Sequence, residues 1–359
     1  MMGAAEQLPE LIIMELLSRL PIPDVLPFRC VSKTWKSLID HLLIYTKNLS
    51  FIATSEYRLF RLPLFDLLFQ THQPNQREID LCFDASPVFV EFLLTTCNGL
   101  ICFQSLQMGL FLLDTVAEEL KKLPNLCKPV LCRCRSSFYV WGFGFNSETQ
   151  EYKLVRIMPF SSRCDSCRNG GDSGENMGVV VHAVGSDSWR TVSQVPPRIF
   201  KGDSVQAIVN GAFHWQGTRG GVGDDYYSMK IISFSIVDEV FDEMPYPESY
   251  DRDCKIDALG VMGEKLCLMR SSSSDHGNIE IWVMEEYGVV NSWNRKITIR
   301  DSIMADSVIN SKPLRILPNA LFLALCGGEK IVFYDPKSDI ARTLTVPCIK
   351  KWYEALICG

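Results

Sequence analysis

Apolar residues recur at helical spacing between Leu8 and Asp40 and at strand spacing over nearly everything that follows. Pro9 and Glu10 suit a first helical turn: proline gives up no helical hydrogen bond there, and a carboxylate meets the positive end of the helix dipole. Ile13, Leu16, Leu17 and Leu20 then lie on one stripe. Pro21 and Pro23 end that helix. Asp24 caps a second through Val25, Phe28 and Val31, and Ser32 caps a third carrying Trp35, Leu38 and Ile39. Three helices this short bury too little surface to stand alone. Their stripe is completed either by the rest of the chain or by another protein.

From about Leu49 the period becomes that of strands, starting with Phe51–Thr54, Tyr57–Leu62 and Ile79–Phe83. A loose unit then recurs. Cys97–Cys102, Leu110–Asp114 and Lys121–Pro124 make one copy, and Val209–Trp215, Ile231–Ser235 and Phe241–Pro245 another. Leu259–Cys267, Ile279–Met284 and Trp293 make a third; Asn319–Leu325, Lys330–Asp335 and Arg342–Val346 a fourth. Val140–Ile157 and Val179–Val192 add a further pair or two of hairpins. Three-stranded units of roughly 45–55 residues predict propeller blades, each burying its faces on its neighbours. An irregular sandwich or barrel is the competing architecture.

Composition narrows the partners. The 359 residues carry a net charge of −6, which argues against nucleic acid and leaves basic protein targets open. The uncharged run Phe92–Leu113 has the length of a membrane span, but its threonines, glutamines and glycines read as two strands and a turn, so no membrane partner is expected. No secretory signal is visible at the start. The 14 cysteines are scattered through apolar runs, as in a reducing cytoplasm or nucleus.

The N-terminal residues go further than their period. Leu8-Pro9, Glu15-Leu16-Leu17, Arg19-Leu20-Pro21 and Phe28 to Ile39 closely resemble the F-box in order and spacing, with Pro27 where a basic residue is expected. Members of that family dock on the Skp adaptor of a cullin-type ubiquitin ligase. The body resembles the plant F-box-associated interaction domain of S-locus F-box and F-box/kelch proteins. Cys97–Cys102, Gly142–Asn146 with Tyr152–Ile157, Ser188-Trp189-Arg190, Val209–Trp215, Leu259–Val261 and Ile281–Val289 with Ser292-Trp293 fall in the family's order. Leu112–Thr115 departs from it. The resemblance implies a small all-α F-box of three helices over 1–47 and an all-β, propeller-like substrate-binding domain over 48–359. It also implies a role as substrate receptor of a Skp–cullin–F-box ligase. Leu8, Pro9, Leu16, Leu17, Leu20, Val31 and Trp35 would meet the adaptor.

Candidate chemistry is sparse. Cys164-Asp165-Ser166-Cys167 has zinc-knuckle spacing, but Cys132-Arg133-Cys134 is too close to supply a second pair, so no metal or cofactor is expected. The glycine-rich Arg168–Asn176 lacks Gly-Lys-Ser/Thr and leads into a strand rather than a helix. Five histidines form no spaced pair, and His214, between Phe213 and Trp215, reads as structural. A copper-oxidase-like enzyme on a kelch-type propeller is thereby disfavoured, while an F-box protein that binds without degradation stays open. The long loops are the candidates for gripping a target protein, with Arg219, Asp224, Asp225 and Asp275 as their charged contacts.

Overall fold

Asn98-Gly99 and Asn210-Gly211 each close a two-residue hairpin with both residues at positive φ (47° and 80°, 51° and 69°). This mirror-image turn matches the twist of paired strands and suits Asn-Gly better than other pairs. The computed structural model describes residues 31, 50–63, 77–105, 108–115, 117–124, 140–157, 179–194, 198–199, 207–218, 229–247, 256–262, 264–271, 278–299, 312–316, 322–326, 330–335, 340–344 and 354–358. Within them each Asn-Gly turn joins the first strand of a blade to its second.

The chain begins its first blade with β1 (Ser50–Ser55), β2 (Arg58–Pro63) and β3 (Arg77–Ile79), followed by a small hairpin, β4 (Cys82–Phe83) and β5 (Ser86–Pro87). The second blade is β6 (Val90–Cys97), β7 (Leu100–Ser105), β8 (Gly109–Asp114) and β9 (Glu119–Lys122). The third is β10 (Val140–Asn146), β11 (Glu151–Ile157), β12 (Val179–Ala183) and β13 (Arg190–Val192). In the fourth, β14 (Arg198–Ile199) and β15 (Ala207–Val209) both pair with β16 (Ala212–Thr218), which continues to β17 (Met229–Ser235) and β18 (Phe241–Pro245). The fifth is β19 (Ile256–Met262), β20 (Lys265–Ser271), β21 (Ile279–Met284) and β22 (Trp293–Ile299). The sixth is β23 (Lys312–Ile316), β24 (Phe322–Cys326), β25 (Lys330–Asp335) and β26 (Ile340–Leu344).

The last strand, β27 (Glu354–Cys358), returns to the start. It pairs antiparallel with β1 from Cys358 opposite Ser50 to Glu354 opposite Thr54, and so becomes the inner strand of the first blade. Inner strands pack side by side: β27 on β6, β6 on β10, β15 on β19, β19 on β23, and β23 on β27. The ring is closed by joining the two ends of the body.

Buried side chains lie between blades. Phe103 stacks on Phe111 (5.6 Å) beside Leu59 and Val90, and Phe213 and Phe234 join Val155 and Val181. The glycines of β10 explain their own motif. A Cβ on Gly142 would stand 2.9 Å from the Phe213 ring, and one on Gly144 2.6 Å from Ile236. Their bare backbone lets the fourth blade seat its aromatic core against the third.

Several expectations change. The recurring unit has four strands rather than three. Cys97–Cys102 and Leu259–Cys267, each taken as one leading strand with its turn, are hairpins that contain the end of an inner strand. Ile79–Phe83 is split, because the chain leaves β3 at Asp80 and starts a separate hairpin at Cys82. Val140–Ile157 and Val179–Val192 are one sheet. Phe92–Leu113 lies in three strands, β6 to β8, and no helix among the described residues is long and apolar enough to cross a membrane. The three N-terminal helices lie outside the described residues.

Candidate functional site

The up-and-down blade sorts its connections onto two rims. First-to-second and third-to-fourth strand turns share one rim; second-to-third turns and the links between blades share the other. Ser50 starts β1 opposite Cys358, where β27 ends. Residues before Ser50 therefore join the body at the first of these, the near rim. Of the expected adaptor contacts, Val31 is exposed (59%), while Leu8, Pro9, Leu16, Leu17, Leu20 and Trp35 lie outside the described residues.

Arg219, Asp224, Asp225 and Asp275 also lie outside the described residues, but the strand ends that bracket them can be placed. Thr218 and Met229 bracket one loop, and Ser271 and Ile279 the other. Both are second-to-third connections and belong to the far rim. Ile157 and Val179, which bracket 158–178 with its glycine run, belong there too. Three long loops singled out separately in the sequence thus spring from one side of the ring, opposite the rim where β1 starts at Ser50.

The near rim is tied together between blades. Lys153 Nζ donates to Glu239 Oε1 (2.7 Å) and to the Ile236 carbonyl (2.8 Å), and Arg190 binds the same carboxylate. Burial alone would raise the Glu239 carboxyl, but the hydrogen bonds from Arg190 and Lys153 outweigh it and hold the group below its usual range. Away from the rim itself, Trp189 Nε1 donates to the Pro124 carbonyl (2.9 Å) in the link that leaves β9, and so joins the third blade to the second.

His214 connects the fourth blade to the fifth. Its Nδ1 faces the Ala207 carbonyl (3.3 Å), which makes Nδ1 the donor and leaves Nε2 to accept from the Tyr287 hydroxyl (2.8 Å). Burial pushes its pKa down to about 4 from the ordinary 6.5. The folded protein holds this ring neutral where the unfolded chain binds a proton, so stability falls as pH drops below 6.5 and goes on falling to about 4. The contribution lost is on the order of 3 kcal/mol. Thermal unfolding followed from pH 7 to 4 should show this decline, and His214→Gln should flatten it. An unchanged pH profile in that variant would exclude His214 as its source.

Among the described residues no three His, Cys, Asp or Glu side chains are placed to hold a metal. Burial raises the Cys102 thiol, and raises that of Cys267 to about 12, which makes them packing groups rather than nucleophiles. Cys127, Cys132, Cys134, Cys164 and Cys167 lie outside the described residues. Sequence reasoning passed over a pair of exposed aromatics at the far rim, Tyr57 (54%) and Phe89 (45%). The sequence reading takes Tyr57 as the start of a strand, Tyr57–Leu62; the structure puts it in the turn before β2, where an exposed aromatic has no packing role.

Comparison with known proteins agrees with this architecture. A family model described as the F-box associated beta propeller domain matches residues 51–337, and one for the F-box domain matches residues 6–47. The F-box protein At3g07870 of Arabidopsis thaliana is 26% identical, over 99% of this chain and 91% of its own. The F-box/kelch-repeat protein At3g23880 from the same plant is 24% identical, over 83% and 81%. The F-box protein CPR1, also of Arabidopsis thaliana, is 23% identical, over 97% and 86%.

Proposed function

The chain belongs to the family of F-box proteins that carry an F-box associated β-propeller domain, and from that premise we propose that it is the substrate-recognition subunit of a Skp–cullin–F-box ubiquitin ligase. On this reading residues 1–47 dock on a Skp-type adaptor and, through it, a cullin. Residues 48–359 hold a target protein in the cytoplasm or nucleus. The F-box stripe (Leu8, Pro9, Leu16, Leu17, Leu20, Val31, Trp35) meets the adaptor, and the far-rim loops with Arg219, Asp224, Asp225 and Asp275 meet the target.

The observation that supports this best is the order of the parts. The F-box match ends at residue 47, and β1 starts at Ser50 on the near rim. A six-residue strand spans about 20 Å, so adaptor and target would occupy opposite sides of the ring and not compete. Catalysis then needs no residue of this chain. Holding a target near a charged ubiquitin-conjugating enzyme raises the effective concentration of its lysines. The test is retention of a purified plant Skp adaptor by the intact chain and by a chain starting at Asn48. The intact chain should retain it and the shortened one should not; equal retention, or none by the intact chain, contradicts the proposal.

A further inference from the structure

The far rim carries one feature that strand packing leaves unexplained. The β1–β2 turn, Glu56-Tyr57, has both residues at positive φ (51° and 64°), and so does the β4–β5 turn, Asp84-Ala85 (51° and 59°). The near-rim turns of the same two-residue kind use Asn-Gly, which adopts this conformation at little cost. These two hairpins place side chains there that the turn does not favour. They also lie together: the Val90 amide donates to the Tyr57 carbonyl (2.9 Å) and the Val88 amide to the Leu81 carbonyl (2.8 Å). Tyr57 and Phe89 therefore come from adjacent backbones.

The base of this corner is firmly held. Leu81, Val88 and Val90 are buried with Leu59, and Phe83 meets Phe111 edge-on at 5.3 Å. Tyr57 and Phe89 stand out from that base with Pro87 also exposed between the hairpins. Around them are Glu56, Glu78, Asp80 and Asp84, all exposed. Among the described side chains the cations at hand are engaged: Arg58 reaches Glu78 (3.3 Å), and Lys122 lies over the Phe83 ring (5.9 Å). Among the described residues no cation pairs with Glu56, Asp80 or Asp84, three exposed carboxylates on the same hairpins and link as the two aromatic side chains. An aromatic centre ringed by like charges has the anatomy of a binding hot spot, apolar in its middle and polar at its edge.

We propose that the Tyr57–Phe89 corner is a docking surface for a basic segment of a target protein, a stretch with lysine or arginine on either side of an apolar anchor residue. The charge of the rim selects this occupant, since an acidic or phosphorylated segment would be repelled. The proposal rests on the receptor reading for its biological sense, but its chemistry stands apart from adaptor docking.

A random peptide library panned against the intact protein tests it, with two variants as comparators. Tyr57→Gly with Phe89→Ser removes the anchors, and the glycine suits the turn. Glu56→Gln with Asp84→Asn removes charge alone, and asparagine tolerates the left-handed conformation. Selected peptides should be net positive with an aromatic or aliphatic residue, and both variants should weaken them about tenfold or more. Their binding should also fall as salt is raised. An unchanged thermal transition shows that the variants are folded. Acidic or neutral peptides, binding indifferent to both variants, or no enrichment would each overturn the proposal. So would sedimentation showing that the intact chain self-associates through this corner and that the aromatic variant is monomeric. Adaptor retention measured in parallel separates the two questions. Peptide binding with no adaptor retention sinks the receptor reading and leaves the surface, and the converse sinks only the surface.

Discussion

A chain ending at residue 353 is expected to lose its cooperative thermal transition and most of its soluble yield. Residues 354–358 form β27, the inner strand of the first blade, and their register with β1 runs over five residue pairs from Thr54 to Ser50. Without them β1 becomes an open edge facing the centre of the ring, and the packing of β27 on β6 and β23 disappears as well. Removing an inner strand on this scale costs on the order of 5 kcal/mol or more, comparable to the whole stability of a domain. The exposed edge also invites pairing with other chains. Register supplies a control. Cys358 lies opposite Ser50 as Cys97 lies opposite Leu100 and Val209 opposite Ala212. Residues 354–358 moved in front of Ser50 and joined by Asn-Gly should therefore restore a cooperative body in a chain lacking the N-terminal segment. A truncated chain that melts cooperatively near the temperature of the intact protein would show that ring closure is not what holds the body together.

The second large effect is on the adaptor. Leu16→Asp with Leu20→Asp should weaken adaptor retention by at least about a hundredfold while leaving the propeller's melting unchanged. Each leucine buried in an interface contributes roughly 1.5–3 kcal/mol, and two lost together correspond to about two to four powers of ten in affinity. The added carboxylates sharpen the loss, because a desolvated charge needs a partner. The expectation depends on the F-box match at 6–47 and on the periodic stripe, and pull-down with purified adaptor checks it. Undiminished retention would move the adaptor contact elsewhere.

What could be read from the sequence was mostly what local chemistry determines. The Asn-Gly pairs announced hairpins because few other residues accept that turn. The outer strands Glu119–Lys122 and Phe241–Pro245 run into prolines, Pro124 and Pro245, which lack the amide a ladder needs. The Gly142-Phe143-Gly144 motif was visible as a family mark, but its cause, the ring of Phe213 some seventy positions away, was not. The inner strands β6, β15 and β19 were not separated from their neighbours for two reasons. β15 has three residues and no periodicity of its own, and β6 and β19 run into their turns with too little break to be separated. β27 was out of reach because its partner is at the other end of the chain, and nothing in Glu354–Cys358 names Ser50–Thr54 as its neighbour. Locally the loop residues Arg219, Asp224, Asp225 and Asp275 looked equivalent to other loop residues. Only the blade topology assigns their loops to one rim, because the rim of a loop depends on how many strands precede it in its blade.

Hydrogen exchange on the intact chain, with and without a purified Skp adaptor, tests the two-sided receptor most directly. Adaptor binding should protect amides between residues 8 and 40 and leave those of 50–358 unchanged, the far-rim hairpins at Glu56-Tyr57 and Asp84-Ala85 included. Protection spread over the propeller, or no protection at all in the N-terminal segment, would contradict it.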